Sequence, residues 1–144
     1  RPFGVSIIIA GSDLSGPKLF FNDPGGATVA WKAGIIGRNA PVGEEFLASV
    51  FKSTQLDAIS FEDAIKYAIV AISVASDSVP KPAEIEIGYV LRDETAKIVT
   101  ADSSEIKDLY EGALEIYRQW KERKGAGGET EEERTEEEEE EEEE

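Results

Sequence analysis

The residue types that could do chemistry in this 144-residue chain are restricted, because it contains no Cys, His or Met. Thiol nucleophiles, imidazole acid/base catalysis, disulfides and soft-ligand metal sites are excluded, and with them hydrolysis by Ser-His-Asp or Cys-His arrangements. Hydroxyls, carboxylates and amines are what remain. Gly11-Ser12-Asp13-Leu14-Ser15-Gly16 has the glycines of a phosphate loop, yet it lacks a Gly-Lys-Ser/Thr ending and lies between strand-like runs instead of before a helix. The carboxylate pairs Glu44/Glu45 and Glu84/Glu86 have the residue type for proton transfer or hard-cation ligation. A spacing of two on a strand puts Glu84 and Glu86 together on an outward face, where solvated charge is the commoner use. Trp31 and Trp120 suit ligand stacking, but each falls at an apolar-face position that favours packing.

Charge narrows the classes further. The net charge is −16, and the last sixteen residues, Glu129 to Glu144, hold 13 Glu and one Arg, a net −12 that leaves −4 for the first 128. Phosphate backbones require a basic stripe, and the only tight basic cluster is Lys121, Arg123 and Lys124, so nucleic acid is not an expected partner. No apolar run, Val5 to Ala10 with its Ser6 included, is long enough to span a bilayer and no secretory signal is recognisable, which points to a cytoplasmic chain with no membrane partner. The missing initiator Met and the start directly at a strand suggest a fragment of a longer product.

The elements that must position these groups are legible from periodicity. Phe3 to Ala10, Lys18 to Phe21 and Ala27 to Ile36 read as three strands of a meander, closed by the SDLSGP and NDPGG turns. The first is apolar on both faces and wants cover on two sides. The third places Val29, Trp31, Ala33 and Ile35 on one face. Asn39 caps a helix beginning at Ala40 or Pro41 and running to about Phe51, with Glu44 and Glu45 in its first turn. Ser60, with Asp63 three residues on, opens a second helix whose face is Phe61, Ala64, Ile65, Ala68, Ile69, Ile72 and Ala75. Ile85, Ile87, Tyr89 and Leu91 then alternate as a strand, paired through a turn at Arg92 to Thr95 with Lys97 to Thr100. The last helix begins at Asp102 or Ser103 and stops at Gly125-Ala126-Gly127-Gly128. The order β-β-β-α-α-β-β-α is that of an α+β chain with helices layered on antiparallel sheet.

The opening Arg1-Pro2-Phe3-Gly4, the turn Asp23-Pro24-Gly25-Gly26, Trp31-Lys32-Ala33, Ile35-Ile36-Gly37 and Glu44-Glu45-Phe46-Leu47 together resemble the non-catalytic α-type subunits of the proteasome core particle, archaeal-like and over the C-terminal half only. The resemblance implies a four-layer αββα sandwich of the N-terminal-nucleophile hydrolase class. It makes residues 1–124 the C-terminal half of that domain, with a linker at 125–128 and a Glu-rich tail at 129–144. It also implies a structural role in an outer ring with other α subunits and β subunits, docking of a regulatory ATPase, and no cofactor, metal or catalytic residue. Arg1, Pro2, Phe3, Gly4, Asp23, Pro24, Gly26, Trp31, Lys32 and Gly37 are the signature positions carried over. Catalytic β-type relatives use an N-terminal threonine, and show a G-S-G-S-like turn and a D-x-x-S-G segment where this chain has Gly37-Arg38-Asn39-Ala40 and Asp77-Ser78-Val79-Pro80. The alternatives are a truncated catalytic member of the same superfamily and an acidic-tailed protein-binding module.

Nine consecutive Glu from Glu136 repel one another at neutral pH and carry no packing group, so the tail is expected to be disordered and dispensable for folding. Truncation after Gly128 should leave the thermal midpoint nearly unchanged, whereas a large drop in a calorimetric scan would show the tail docked on the body.

Overall fold

The computed structural model describes residues 4–53, 58–92 and 94–142, with side chains described up to residue 125 apart from Ser53. The elements are β1 (Ile7–Asp13), β2 (Gly16–Asn22), β3 (Thr28–Trp31), α1 (Ala40–Ser53), α2 (Phe61–Ser76), a 3-10 turn (Pro82–Glu84), β4 (Glu86–Tyr89), β5 (Lys97–Thr100) and α3 (Lys107–Glu142). The α+β class and element order expected from the sequence are therefore observed. β1, β2 and β3 form one antiparallel sheet in that order, and β4 and β5 form a separate antiparallel pair.

Strand boundaries differ from the periodicity reading for a backbone reason. β1 begins later than Phe3 and runs on to Asp13, because the register from Ile7 opposite Asn22 to Asp13 opposite Gly16 closes the ladder up to the Leu14-Ser15 turn. Backbone pairing does not require apolar side chains, so polar Ser12 and Asp13 are included. β3 ends at Trp31, the last residue facing β2. Residues 33–36 leave the sheet, and the Trp31 ring lies so close over Gly34 that a Cβ there would clash with it.

The helices form the core. Phe46, Ile69, Val70, Ile106 and Ala113 are all at most 2% exposed, and Ile85 and Ala101 close the β4–β5 pair onto them. α2 lies between α1 and α3. Ser60 caps it as expected, its Oγ accepting from the Asp63 amide at 3.1 Å, while the Asp63 carboxylate turns to Lys66 at 2.9 Å. At the other end Asp77 adopts the left-handed conformation (φ 51°) and its amide donates to the Ser73 and Val74 carbonyls.

Four local expectations are corrected. Asn39 does not cap α1 with its side chain: it lies at φ 56°, away from the extended conformation an N-cap needs, and its Nδ2 donates to the Ala75 carbonyl at 3.0 Å. Glu44 and Glu45 lie beyond the first turn of α1, since the helix starts at Ala40. Glu84 belongs to the 3-10 turn, where it accepts from the Lys81 amide at 3.0 Å, and so does not share a strand face with Glu86. α3 starts at Lys107, because residues 101–106 form turns in which the Ile106 and Lys107 amides share the Ser103 carbonyl. α3 is assigned through residues 125–128, where sequence reading ended it, and the side chains of the expected linker and tail beyond residue 125 lie outside the described residues.

Gly43 is where α1 approaches α2, and a Cβ there would lie 2.7 Å from Ile35 Cδ1 and 3.0 Å from the Ala71 carbonyl oxygen. Overpacking typically costs about 1–3 kcal/mol, more than the roughly 1 kcal/mol of helix propensity that Ala gains over Gly. Gly43→Ala should lower the denaturant midpoint. Gly112→Ala in α3, which would meet only the Lys66 side chain at 3.4 Å, should raise it by up to about 1 kcal/mol in stability.

Candidate functional site

The sequence-singled residues are used as braces. In the β1–β2 turn, Asp13 Oδ1 accepts from the Ser15 amide at 2.7 Å and from Ser15 Oγ at 2.6 Å, and these hydrogen bonds hold the Asp13 carboxyl below its usual range. Gly16 follows at φ +110°. The loop is a two-residue hairpin whose polar groups satisfy one another, which removes the phosphate-loop geometry. In the next turn the Asp23 amide donates to Ala27 O and the Asp23 carboxylate accepts from the Ala27 amide, both at 2.9 Å, with Pro24 between the strands and Gly26 at φ +95°. Gly4 precedes β1 at φ +73°. Trp31 stacks on Phe21 with ring centroids 4.3 Å apart and planes 8° from parallel, and Lys32 is exposed beside it. Arg1, Pro2 and Phe3 lie outside the described residues.

The 37–40 and 77–80 loops are brought together. Gly37, at φ +115°, lets the chain turn so that Asn39 reaches the Ala75 carbonyl, two residues before Asp77. Asp77 in turn accepts from Lys121 of α3, and that hydrogen bond together with the lysine charge lowers its pKa. The Lys121 pKa is raised, first by Asp77 and then by the Tyr117 ring over which it sits at 5.8 Å. Lys124 pairs with Glu45 of α1 and lies 5.5 Å over Trp120, which packs edge-on against buried Phe46 at 5.3 Å. Tyr110 Oη donates to Pro80 O at 2.9 Å. No oxygen of this cluster is set against a base in nucleophile geometry. Among the described residues no group of three or more acidic side chains is disposed to hold a metal ion, and no helix is long and apolar enough to cross a membrane.

Two apolar clefts flank α2. A cavity of about 620 Å³ separates it from the meander, with Ile8, Pro17 and Leu19 on the sheet side. Another of about 340 Å³ separates it from β4. Ala64, Ala68 and Ile72 line both.

The proteasome subunit family profile matches residues 1–90. The chain is 39% identical over 120 residues to the proteasome subunit alpha of Archaeoglobus fulgidus, covering 83% of this chain and 46% of that one. It is 41% identical over 109 residues to the mouse proteasome subunit alpha type-8 (74% and 42%), and 35% identical over 112 residues to the proteasome subunit alpha of Methanocaldococcus jannaschii (77% and 40%). The chain belongs to the proteasome subunit family. Its homology is to the α type, from archaea and eukaryotes alike, and it spans less than half the length of these curated relatives.

For this proteasome subunit the interhelix tethers were the part sequence reasoning missed. Lys121 and Lys124 were visible as a basic cluster, but only the packing of α3 shows that they face Asp77 and Glu45. A Lys four residues after an aromatic on the apolar face was the available signal.

The sign of the Asp77–Lys121 contribution follows from its two shifts. A lowered Asp77 pKa adds stability that is present above the ordinary value of 3.8 and lost as pH falls through the folded value, and a raised Lys121 pKa adds stability lost only above 10.5. Asp77→Asn should therefore be slightly less stable than the parent between those limits. The two stability curves, measured by urea unfolding, should converge in strong acid.

Proposed function

We propose that this chain is a non-catalytic, structural part of the α-type subunit of a proteasome core particle, a threonine protease complex. In this reading it contributes to the outer ring that restricts access to the proteolytic chamber and docks regulators. Its partners are other α subunits and β subunits, with a regulatory ATPase as the docking protein, in the cytoplasm or nucleus. The observation that carries the reading is the use made of the 37–40 and 77–80 loops, which the family resemblance sets against the serine-bearing turns of catalytic relatives: Asn39 and Asp77 are both spent on holding α1, α2 and α3 together. The family's four-layer sandwich supplies the finer architecture, with this chain providing parts of both sheets and one helical layer. The uncovered clefts on α2 support that placement.

Incubation with fluorogenic peptides and a threonine-directed covalent inhibitor tests the absence of catalysis. The expected result is no turnover and no labelling by the chain alone, and co-purification in a ring-sized particle when co-expressed with the rest of an α-type subunit and with β-type subunits. Stoichiometric labelling of this chain would overturn the reading.

A further inference from the structure

We propose that the distal part of α3 is a pH-driven helix: it takes the helical backbone seen through Glu142 when its glutamates are protonated, and it unwinds beyond Gly125 at neutral pH. The device is independent of the α-type reading. Up to Lys124, α3 has a face to bury, with Ala113 in the core and Leu109, Tyr110, Ile116, Tyr117 and Trp120 packed against it. Lys121 and Lys124 tie the end of that part to Asp77 and Glu45. From Gly125 onward the sequence offers Ala126 and no other side chain that could form an apolar face, and such a face is the main source of helix stability in proteins. Gly125, Gly127 and Gly128, each a weak helix former, separate the two parts. Any helix beyond them stands on local interactions alone.

Those local interactions change sign with protonation. Residues 129–142 are all Glu apart from Thr130, Arg134 and Thr135, and Glu is a good helix former. Ionised, the same residues oppose the helix. Positions four apart are neighbours on a helical surface, which sets Glu129 against Glu133, Glu132 against Glu136 and Glu136 against Glu140, with Arg134 the one cation among them. Negative charge is also disfavoured in the last turn of a helix, where α3 has no basic residue. Like charges held closer in the helix than in the extended chain raise the carboxyl pKa of the helical state, so the stretch takes up protons as it coils. Helix stability is therefore present in acid and is lost as pH rises through that raised value, which lies above the ordinary glutamate value of about 4.3. At the junction the charged groups are Glu122, Arg123 and Lys124 on α3 itself, with Glu45 of α1 and Asp77 at the end of α2 facing that turn, each paired with a lysine. These pairs hold the proximal part, so unwinding stops at the glycines. In acid, residues 129–142 would extend α3 as a rod about 21 Å long, and at neutral pH the same residues form a self-repelling chain.

In the full chain, the Cα chemical shifts of Thr130 and Thr135 report on this stretch without interference from the folded body. Both should lie at coil values at neutral pH and move at least a third of the way to helical values, reversibly, as the pH is lowered to about 4. A full-length variant with every Glu of 129–144 replaced by Gln, a helix former without the charge, carries the test at neutral pH, away from the isoelectric point of about 4.4 where the parent has no net charge to keep it dispersed. Its Thr130 and Thr135 should show the helical displacement there and stay indifferent to pH. Helical shifts in the parent at neutral pH, or coil shifts in the parent in acid, would overturn the proposal. So would coil shifts in the glutamine variant at neutral pH, or a pH transition in that variant like the parent's. Should acid precipitate the parent, the comparison of parent and variant at neutral pH decides.

Discussion

Everything in this chain is arranged around the need of α2 to be covered. Of its sixteen residues, Ile65, Ile69, Val70, Ala71, Ser73, Val74 and Ala75 are buried, so apolar surface extends well beyond one stripe. Two neighbouring helices cover it on either side. The single polar residue of that set, Ser73, donates its hydroxyl to the Ile69 carbonyl at 2.8 Å, which removes the cost of burying an unpaired group. What α1 and α3 leave bare is the line Ala64, Ala68 and Ile72, and the two sheets stand on either side of it.

The same helix collects the tethers. Its C-terminal carbonyls accept from Asn39 and from the Asp77 and Ser78 amides, and its capping Asp77 accepts from Lys121. Cations near a helix C-terminus are favoured by the exposed carbonyl dipoles, which gives Lys121 a second reason to sit there. These contacts engage Asn39, Asp77 and the Ser78 amide within the protein. Chemistry and bracing compete for the same groups, and here bracing has them.

Sequence periodicity located all the helices and strands because binary patterning is a property of buried faces, and the faces of α2 and of β4 are steeply patterned. Boundaries were less legible where backbone pairing decides them. Ser12 and Asp13 join β1 through the ladder to Pro17 and Gly16, a contact that no side-chain pattern announces. Asn39 shows a second limit: its type is right for a cap, but its backbone takes φ 56° and its Nδ2 donates to a carbonyl 36 positions away in sequence once α1 and α2 pack. The ion pairs Glu45–Lys124 and Asp77–Lys121 likewise join residues 79 and 44 positions apart, beyond the reach of any local rule. The packing of Trp31 on Phe21 and of Trp120 on Phe46 was legible in kind, since an aromatic on an apolar face packs by default.

The exposed apolar residues are concentrated on the sheets. Ile7 and Ile9 on β1 are 43% and 53% exposed and Phe20 on β2 is 38% exposed, all on one face of the meander, while Ile8 and Leu19 on the other face look into the larger cleft. At roughly 25 cal/mol per Å², each hundred Å² of such surface left in water forgoes about 2.5 kcal/mol, a large fraction of what a domain of this size has to spare. The helical triad, by contrast, is closed on itself by Phe46, Ile69 and Ile106. Stability is therefore unevenly distributed: the helices hold their own core, and the meander depends on surface that another layer would supply. Since the two sheets are open at their edges and α2 leaves Ala64, Ala68 and Ile72 bare between them, any layer that covers this surface must enter between the sheets and the helix.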